Sequence, residues 1–347
     1  MTLSGGSGPV EPVTVLESFP VPRPTTNPYI TMLGRSLEST AGVTLVTFSW
    51  RAALLGRYDV FHVHWPEILV SGRDPLRRAI RRAQFAAFLA RLWFTRTPVV
   101  RTVHNLGQHE DASRIDAWLL RRLERLTTVR IAINDSTPMP AGATSAVIPH
   151  GHYRDWYGTS SPLSVTPGAI AFFGLIRPYK GVAALIAAVL DIPAESAITL
   201  HVAGRASPPQ LGDELVALAG EDSRIFVSLD FLSDDDLVEH VERSELVVLP
   251  YLEMLNSGGA LTALSLDRPI LVPANAVTDA LAEEVGAAWV QRFDGPLSAE
   301  HILHALAAVR VAGRGSPDLS RRQWDLAGRQ HLEAFRLAIA ERRGGSA

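Results

Sequence analysis

The strongest constraint on how this chain folds is a rhythm that runs through it twice. In the first pass, short apolar runs stand at 13–16, 43–48, 59–63, 99–103, 130–133 and 146–148. Helical spacing fills 27–39, 74–94 and 112–126. Short runs without polar alternation read as strands buried on both faces, and strands separated by helices pair in parallel. The turn-rich stretch from His150 to Pro167 interrupts the pattern and reads as a linker. The rhythm then restarts, with apolar runs at 169–173, 198–203, 225–229, 246–249, 270–272 and 287–290. Helices are predicted at 181–190, 210–219, 233–242, 257–266 and 276–284, with a final helical region over 298–311 and 317–342. The expected fold is α/β: two doubly wound, Rossmann-like domains over 1–160 and 161–320, then a C-terminal helix over 321–347. Ligands of open parallel sheets bind at the C-terminal ends of the strands.

Composition narrows the chemistry. The 347 residues are 47% hydrophobic and 20% charged, ample for two cores. With no cysteine, the chain has no disulfide, no thiolate metal site and no cysteine nucleophile. Met1 to Pro12 has neither a basic start nor an apolar stretch, so no secretion signal is expected. No apolar run reaches the roughly 18 residues of a spanning helix. The expected location is the cytoplasm, with peripheral contact at the inner face of the plasma membrane. Residues 1–165 carry 18 arginines against 12 acidic residues, about +6, while 166–347 carry 15 basic and 24 acidic residues, about −9. The two halves therefore suit different partners.

Among 33 basic residues there is a single lysine, Lys180. It lies in Phe173-Gly174-Leu175-Ile176-Arg177-Pro178-Tyr179-Lys180-Gly181. A strand ends there, Gly174 admits close backbone approach, and Arg177 and Lys180 precede a helix, which is the chemistry of a diphosphate site. A second candidate is Leu249 to Leu264, where Asn256 or Ser257 caps a helix that opens on Gly258 and Gly259. Bare backbone N–H groups and the helix dipole attract an oxyanion, and Glu253 can accept bonds from sugar hydroxyls.

These segments resemble the GT-B glycosyltransferases, especially those similar to glycosyltransferase family 4. The resemblance rests on "FGLIRPYKG", "LHVAGRA" (Leu200 to Ala206), "DFLSDDDLVEHVERSELVVLPY" (Asp230 to Tyr251), "SLDRPILVP" (Ser265 to Pro273), "DVFHVHWPE" (Asp59 to Glu67) and "VVRTVHNLG" (Val99 to Gly107). Trp324 to Leu337 resembles the helix that crosses back onto the first domain. The resemblance implies that Arg177 and Lys180 contact a donor diphosphate, that strand ends at Gly204-Arg205 and Phe231-Leu232 hold the nucleoside, and that His104 lies near the transferred sugar. Family 4 has two glutamates eight positions apart; here Met254 and Thr262 occupy those places, with Glu253 one residue away. The retaining outcome therefore does not carry over. The form "NSGGALTALSLDRPILVP" resembles a divergent group that includes bacterial polysaccharide mannosyltransferases, which makes GDP-mannose the expected donor.

In the first half, His62 and His64 share one face of a strand. His62 is expected in the core and His64 at the acceptor side. Glu67, just past the strand end, is a candidate general base, as is His104 past the next strand. Thr26 and Asn27 either contact the acceptor or simply start a helix. The histidines His62, His64, His104 and His109 are scattered and the fold works without metal, so neither metal nor cofactor is expected, only the nucleotide-sugar substrate. The acceptor is expected to be a saccharide or lipid-linked saccharide. The basic and aromatic stretch 77–94 either meets anionic lipid or packs on the sheet. No nucleic-acid motif accompanies the arginines. A sugar-nucleotide epimerase and a non-catalytic sugar-nucleotide-binding protein remain alternatives. A dinucleotide dehydrogenase is disfavoured because no G-x-G-x-x-G follows the first strand.

Overall fold

The computed structural model describes residues 12–72, 74–104, 113–158, 163–252, 254, 257–313 and 315–344. They form two compact units, Met1–Gly151 with Arg322–Ala347, and His152–Arg321. The change of unit falls earlier than the expected break after 160. The reason is local: the Tyr153 N–H donates to Ser265 Oγ at 2.8 Å, and the short helix Arg154–Tyr157 packs against the helix Asp234–Arg243.

The first unit has six parallel strands: β1 (Val13–Glu17), β2 (Val43–Val46), β3 (Val60–Val63), β4 (Val99–Val103), β5 (Thr127–Ala132) and β6 (Ser145–Val147), in the order β2-β1-β3-β4-β5-β6. The second unit repeats the plan with β7 (Ala169–Phe173), β8 (Thr199–Ala203), β9 (Ile225–Ser228), β10 (Leu246–Val248), β11 (Ile270–Pro273) and β12 (Val290–Phe293), in the order β12-β11-β10-β7-β8-β9. The central strands β3, β7 and β10 are buried at every residue, as sheets covered on both faces require. Strand order reverses between β1 and β3 in the first unit and between β7 and β10 in the second, and ligands of such sheets bind at these switch points.

Helix starts follow the polar residues that precede them. Asn27, Ser49, Asp74, Ser113, Ser233, Ser257, Asn275 and Ser298 each cap a helix by accepting a backbone N–H. Two elements differ from expectation. β12 begins at Val290 rather than 287, because Gly286, at φ +100°, turns the chain and the Trp289 N–H bonds back to the Gly286 carbonyl. The last helical region is broken: one helix ends at Ala312 beside Gly313, at φ +76°, and the next runs Trp324–Gly344.

That last helix packs on the helix Pro28–Ser39 and on β4 and β5, so the C-terminus returns to the first unit. Gly328 makes the approach close: a Cβ there would stand 2.2 Å from Thr40 Oγ1 and 2.6 Å from Ser36 Oγ. The helix lays His331 and Phe335 against His62.

Candidate functional site

The second unit brings both predicted phosphate motifs to its switch point. The Gly174–Gly181 loop leaves β7 and the Pro250–Ser257 segment leaves β10, the two strands that flank the reversal. Three contacts join them. The Leu252 N–H donates to the Tyr179 carbonyl at 2.8 Å. Lys180 Nζ stands 4.9 Å over the Tyr251 ring. Gly181, in the left-handed region at φ +66°, lies so close to Pro250 that a Cβ would meet the Pro250 carbonyl at 2.1 Å. On the other side Gly204, at φ +145°, presses on Gly174, where a Cβ would stand 2.0 Å from the Gly174 carbonyl. Only glycine permits these approaches, which draw the ends of β7, β8 and β10 into one crevice.

Within that crevice Lys180 has no carboxylate partner among the described residues, and its neighbours are an aromatic ring and a second cation. Burial, and then the Arg177 charge, push its ammonium down to about 8. Arg177 is exposed and forms no ion pair with a described residue. A lysine held this way is stabilised by an incoming anion. Across from it, the helix Gly258–Ser265 begins. Ser257 Oγ accepts from Ala260 N at 3.0 Å, and the Tyr251 hydroxyl lies beside it: a Cβ on Gly259 would stand 3.3 Å from that hydroxyl and 3.6 Å from Ser257 Oγ. The N–H groups of Gly258 and Gly259 lie in the first turn, where a helix leaves its donors unsatisfied. Tyr251 thus ties the cation side to the helix-start side, a role its sequence position does not disclose.

The two places of the family glutamates are filled differently. Met254 is buried, and its carbonyl accepts from Asn275 Nδ2 at 3.1 Å. Thr262 is buried with its Oγ1 3.5 Å from the Tyr157 hydroxyl. A glutamate at 262 would displace that tyrosine. Glu253 and Asn256 lie outside the described residues, as do Asn105, Gly107, His109 and Glu110. Arg205 follows β8 and is exposed, and Phe231, after β9, is 83% exposed.

The first unit gathers its candidates at the other switch point. Glu17 ends β1, His64 follows β3 and His104 follows β4, and all three are buried. His64 Nδ1 is 2.9 Å from His104 Nε2. Trp65 takes the left-handed region at φ +41°, an outlier for so large a side chain. Its ring lies 3.9 Å from that of His104, nearly parallel. Tyr29 meets His104 edge-on at 5.1 Å and His150 at 4.6 Å. Burial makes these imidazoles weak bases: His64 and His150 are lowered to about 4, His62 to about 3, and His104 well below its ordinary value. His62 is a core residue, bonded to Glu17 Oε1 at 2.7 Å and Thr102 Oγ1 at 2.8 Å.

Glu67 opens the short helix Glu67–Val70, and its carboxylate bonds to none of these histidines. Asn27 spends its Oδ1 as the cap of the helix Pro28–Ser39, accepting from Tyr29 N at 3.0 Å, and Thr26 Oγ1 accepts from Arg23 N at 2.8 Å. Asn27 thus serves the helix start, and Thr26 closes the turn before it. The sequence does not single out Glu17, His150, His331, Tyr29 or Trp324 as site residues. The signal for Glu17 is a carboxylate closing an otherwise apolar strand. Among the described residues, one set gathers metal-ligand atoms within 4.8 Å: Glu17, His62 and His64. Both His62 nitrogens are already engaged, so an ion there would have to break a bond to Glu17 or Thr102.

The stretch 77–94 packs on the sheet along one face. Phe85, Phe88 and Leu92 are buried in the core, Arg82 pairs with Asp116 at 2.7 Å, and Arg91 lies over Tyr58. Trp93 and Phe94 remain exposed. A groove lined by Leu163, Glu245, Trp289 and Arg310 carries none of the predicted site residues.

Two doubly wound units of this plan are the architecture of the GT-B glycosyltransferases. Residues 167–308 match the family described as Glycosyl transferases group 1. Two GDP-mannose:glycolipid 4-beta-D-mannosyltransferases of Xanthomonas campestris are 41% and 40% identical over 330 residues, 95% of this chain and 93% of theirs. The structure of HepE from Anabaena, in complex with UDP-glucose, matches with a TM-score of 0.59 at 12% identity, over 96% of this chain and 98% of that one. The chain belongs to this family, the group 1 glycosyltransferases, and it is a divergent member akin to family 4.

Because Lys180 titrates near 8, the affinity for GDP has a predictable pH dependence. Below about pH 8 the ammonium is already charged and Kd is flat. Above it binding must first return a proton, and Kd weakens by up to about tenfold per pH unit. Calorimetric titration between pH 6.5 and 9 checks this, with Lys180→Met expected to flatten the profile.

Proposed function

We propose that this glycosyltransferase transfers mannose from GDP-mannose to a hydroxyl of a lipid-linked saccharide. The observation that carries the reading is Lys180, a half-buried ammonium with no acidic partner among the described residues, on the loop that leaves β7 at a switch point whose other strand, β10, leads to a glycine-opened helix start. The sugar and nucleotide come from the relatives, whose names give GDP-mannose as donor and a glycolipid as acceptor.

In this reading Arg177, Lys180 and the Ser257-Gly258-Gly259 helix start neutralise the leaving diphosphate, a task that needs no metal ion. Gly174 gives the phosphates room, and Arg205 serves the nucleoside. Glu253 and Asn256, from the segment that precedes the helix start, are assigned to the sugar. His104 faces the transferred sugar and the acceptor, with His64 behind it, and Glu67 is the reserve base. Thr26 and Asn27 edge the acceptor side through their loop. GDP-mannose is an α-glycoside and the relatives form β-mannosides. A single displacement therefore inverts the anomeric carbon and requires a base on the acceptor hydroxyl. Inversion also suits a chain whose family glutamate positions are Met254 and Thr262.

A lipid-linked acceptor favours membrane contact, and no helix among the described residues is long and apolar enough to cross a bilayer. The helix Pro75–Phe94 exposes Leu76 and Ile80 beside Arg77 and Arg78, and its neighbours expose Ile68, Ile115 and Trp118. Apolar side chains fringed by arginine suit an anionic surface.

Incubation with GDP-[14C]mannose and a glycolipid extract should give a labelled lipid. Donor alone should give no epimer, only slow hydrolysis. Lys180→Met should raise the donor KM at least about tenfold. A new sugar nucleotide without acceptor would support an epimerase instead. In flotation, vesicles containing phosphatidylglycerol should carry the protein at low salt, and Leu76→Glu with Ile80→Glu should abolish it. Equal recovery with neutral vesicles would count against the anionic surface.

A further inference from the structure

The strand ends of the first unit hold a continuous line of polar atoms. Thr102 Oγ1 is 2.8 Å from His62 Nε2, and His62 Nδ1 is 2.7 Å from Glu17 Oε1. Glu17 Oε2 is 3.5 Å from His64 Nε2, and His64 Nδ1 is 2.9 Å from His104 Nε2. The 3.5 Å separation is long for a hydrogen bond, yet neither atom has another partner and both are buried. A small rotation of either group closes it. We propose that Glu17, acting through His64, is the proton acceptor of the transfer, so that His104 Nδ1 takes the proton of the acceptor hydroxyl and Glu17 stores its equivalent. The proposal rests on the transferase reading above.

Donor and acceptor inventory gives the resting protonation. All three imidazoles are neutral, because burial disfavours their charged forms. A neutral imidazole has one N–H and one lone pair, and a carboxylate only accepts. Glu17 therefore accepts from His62 Nδ1–H and from His64 Nε2–H. His64 Nδ1 then holds a lone pair and must accept from His104 Nε2–H. His104 Nδ1 is left as the acceptor on its ring. Thr102 donates to His62 Nε2, which completes the set without conflict.

From this state the line passes one proton and no other atom. The acceptor O–H proton goes to His104 Nδ1 as the oxygen attacks the anomeric carbon and the bond to the diphosphate breaks. The His104 Nε2 proton moves to His64 Nδ1, and the His64 Nε2 proton moves to Glu17 Oε2. Both histidines end neutral in the opposite tautomer, and Glu17 ends as a carboxylic acid. After product leaves, the same path returns the proton to water.

The arrangement resolves a difficulty at the site. Buried imidazoles with lowered basicity are poor bases on their own. A carboxylate buried without a cation has the opposite tendency, since burial raises its affinity for a proton. Coupling the two gives His104 a basicity set by Glu17. The raised Glu17 and the lowered histidines thus act as one unit, whose protonation belongs to the set rather than to any member.

Two measurements on the full-length protein test this. Two-bond 15N–1H correlation spectra of 15N-histidine protein, assigned with single-histidine variants, should show His64 and His104 as Nε2–H tautomers at pH 7. Glu17→Gln keeps the size of the side chain and removes the proton store. It should lower kcat by about 10²–10⁴-fold, leaving the donor KM and the Kd for GDP unchanged. Nδ1–H tautomers in the resting enzyme would overturn the relay, as would a Glu17→Gln variant that transfers mannose at the wild-type rate. Stoichiometric metal in the purified protein that alters the His62 and His64 resonances on chelation would overturn it as well. The spectra are independent of turnover, so a failure of the mannosyltransferase reading leaves the tautomers measurable, and a failed relay leaves the transferase reading standing.

Discussion

Lys180, an ammonium with no carboxylate partner among the described residues, is the constraint around which the end of the second sheet is built. Removing a charge from water costs free energy unless something offsets it, and for Lys180 the face of Tyr251 is the only offset among the described residues. The fold works to keep it there. Gly181 lets the loop touch Pro250, Gly204 lets β8 reach Gly174, and Leu252 anchors to Tyr179. None of these contacts would be needed for an ordinary βα turn. They draw a cation and a ring to the switch point from which the chain runs on to an unsatisfied helix start, the arrangement that the proposed diphosphate site uses. In the proposed site a diphosphate satisfies all three at once: it gives Lys180 a charge partner, engages Arg177, and takes the N–H groups of the first helical turn.

The first unit repeats the logic with the sign reversed. Its switch point buries a carboxylate, Glu17, without a cation, among histidines that burial keeps neutral. In the proposed reaction one sheet stabilises negative charge leaving a donor, and the other stabilises a proton leaving an acceptor. Inverting transfer requires both. Trp65 shows that the first unit also tolerates strain for this purpose, since its left-handed backbone places the indole over His104.

Much of this is legible in the amino-acid order itself. The twelve strands announce themselves as short apolar runs, most plainly the central β3, β7 and β10, since a strand covered on both faces has no polar face to show. The loop from Gly174 to Gly181 and the start at Ser257 are legible because phosphate chemistry restricts residue types tightly. Partners supplied by packing are not legible. Tyr251 reads as one more aromatic after a strand, and only the folded chain sets it between Lys180 and Ser257. Glu17 is a single charge at the end of a strand, and nothing in the order of residues tells that it is fully buried. Asn27 and Thr26 read equally as ligands or caps, and their bonds to Tyr29 and Arg23 favour the cap. Phe85 and Phe88 read equally as lipid-facing or core residues beside so many arginines, and the fold turns them to the core. The shift of β12 comes from Gly286, whose turn lengthens the connection into an apolar run that otherwise looks like strand.

The central claim is that the donor diphosphate lies between Lys180 and the helix that starts at Gly258. A crystal structure with GDP tests it most directly. The account predicts Lys180 Nζ about 2.7–2.9 Å from a phosphate oxygen, with the Gly258 and Gly259 N–H groups pointing at the same diphosphate. GDP bound with its phosphates away from Lys180, and that lysine still facing Tyr251 alone, would contradict it.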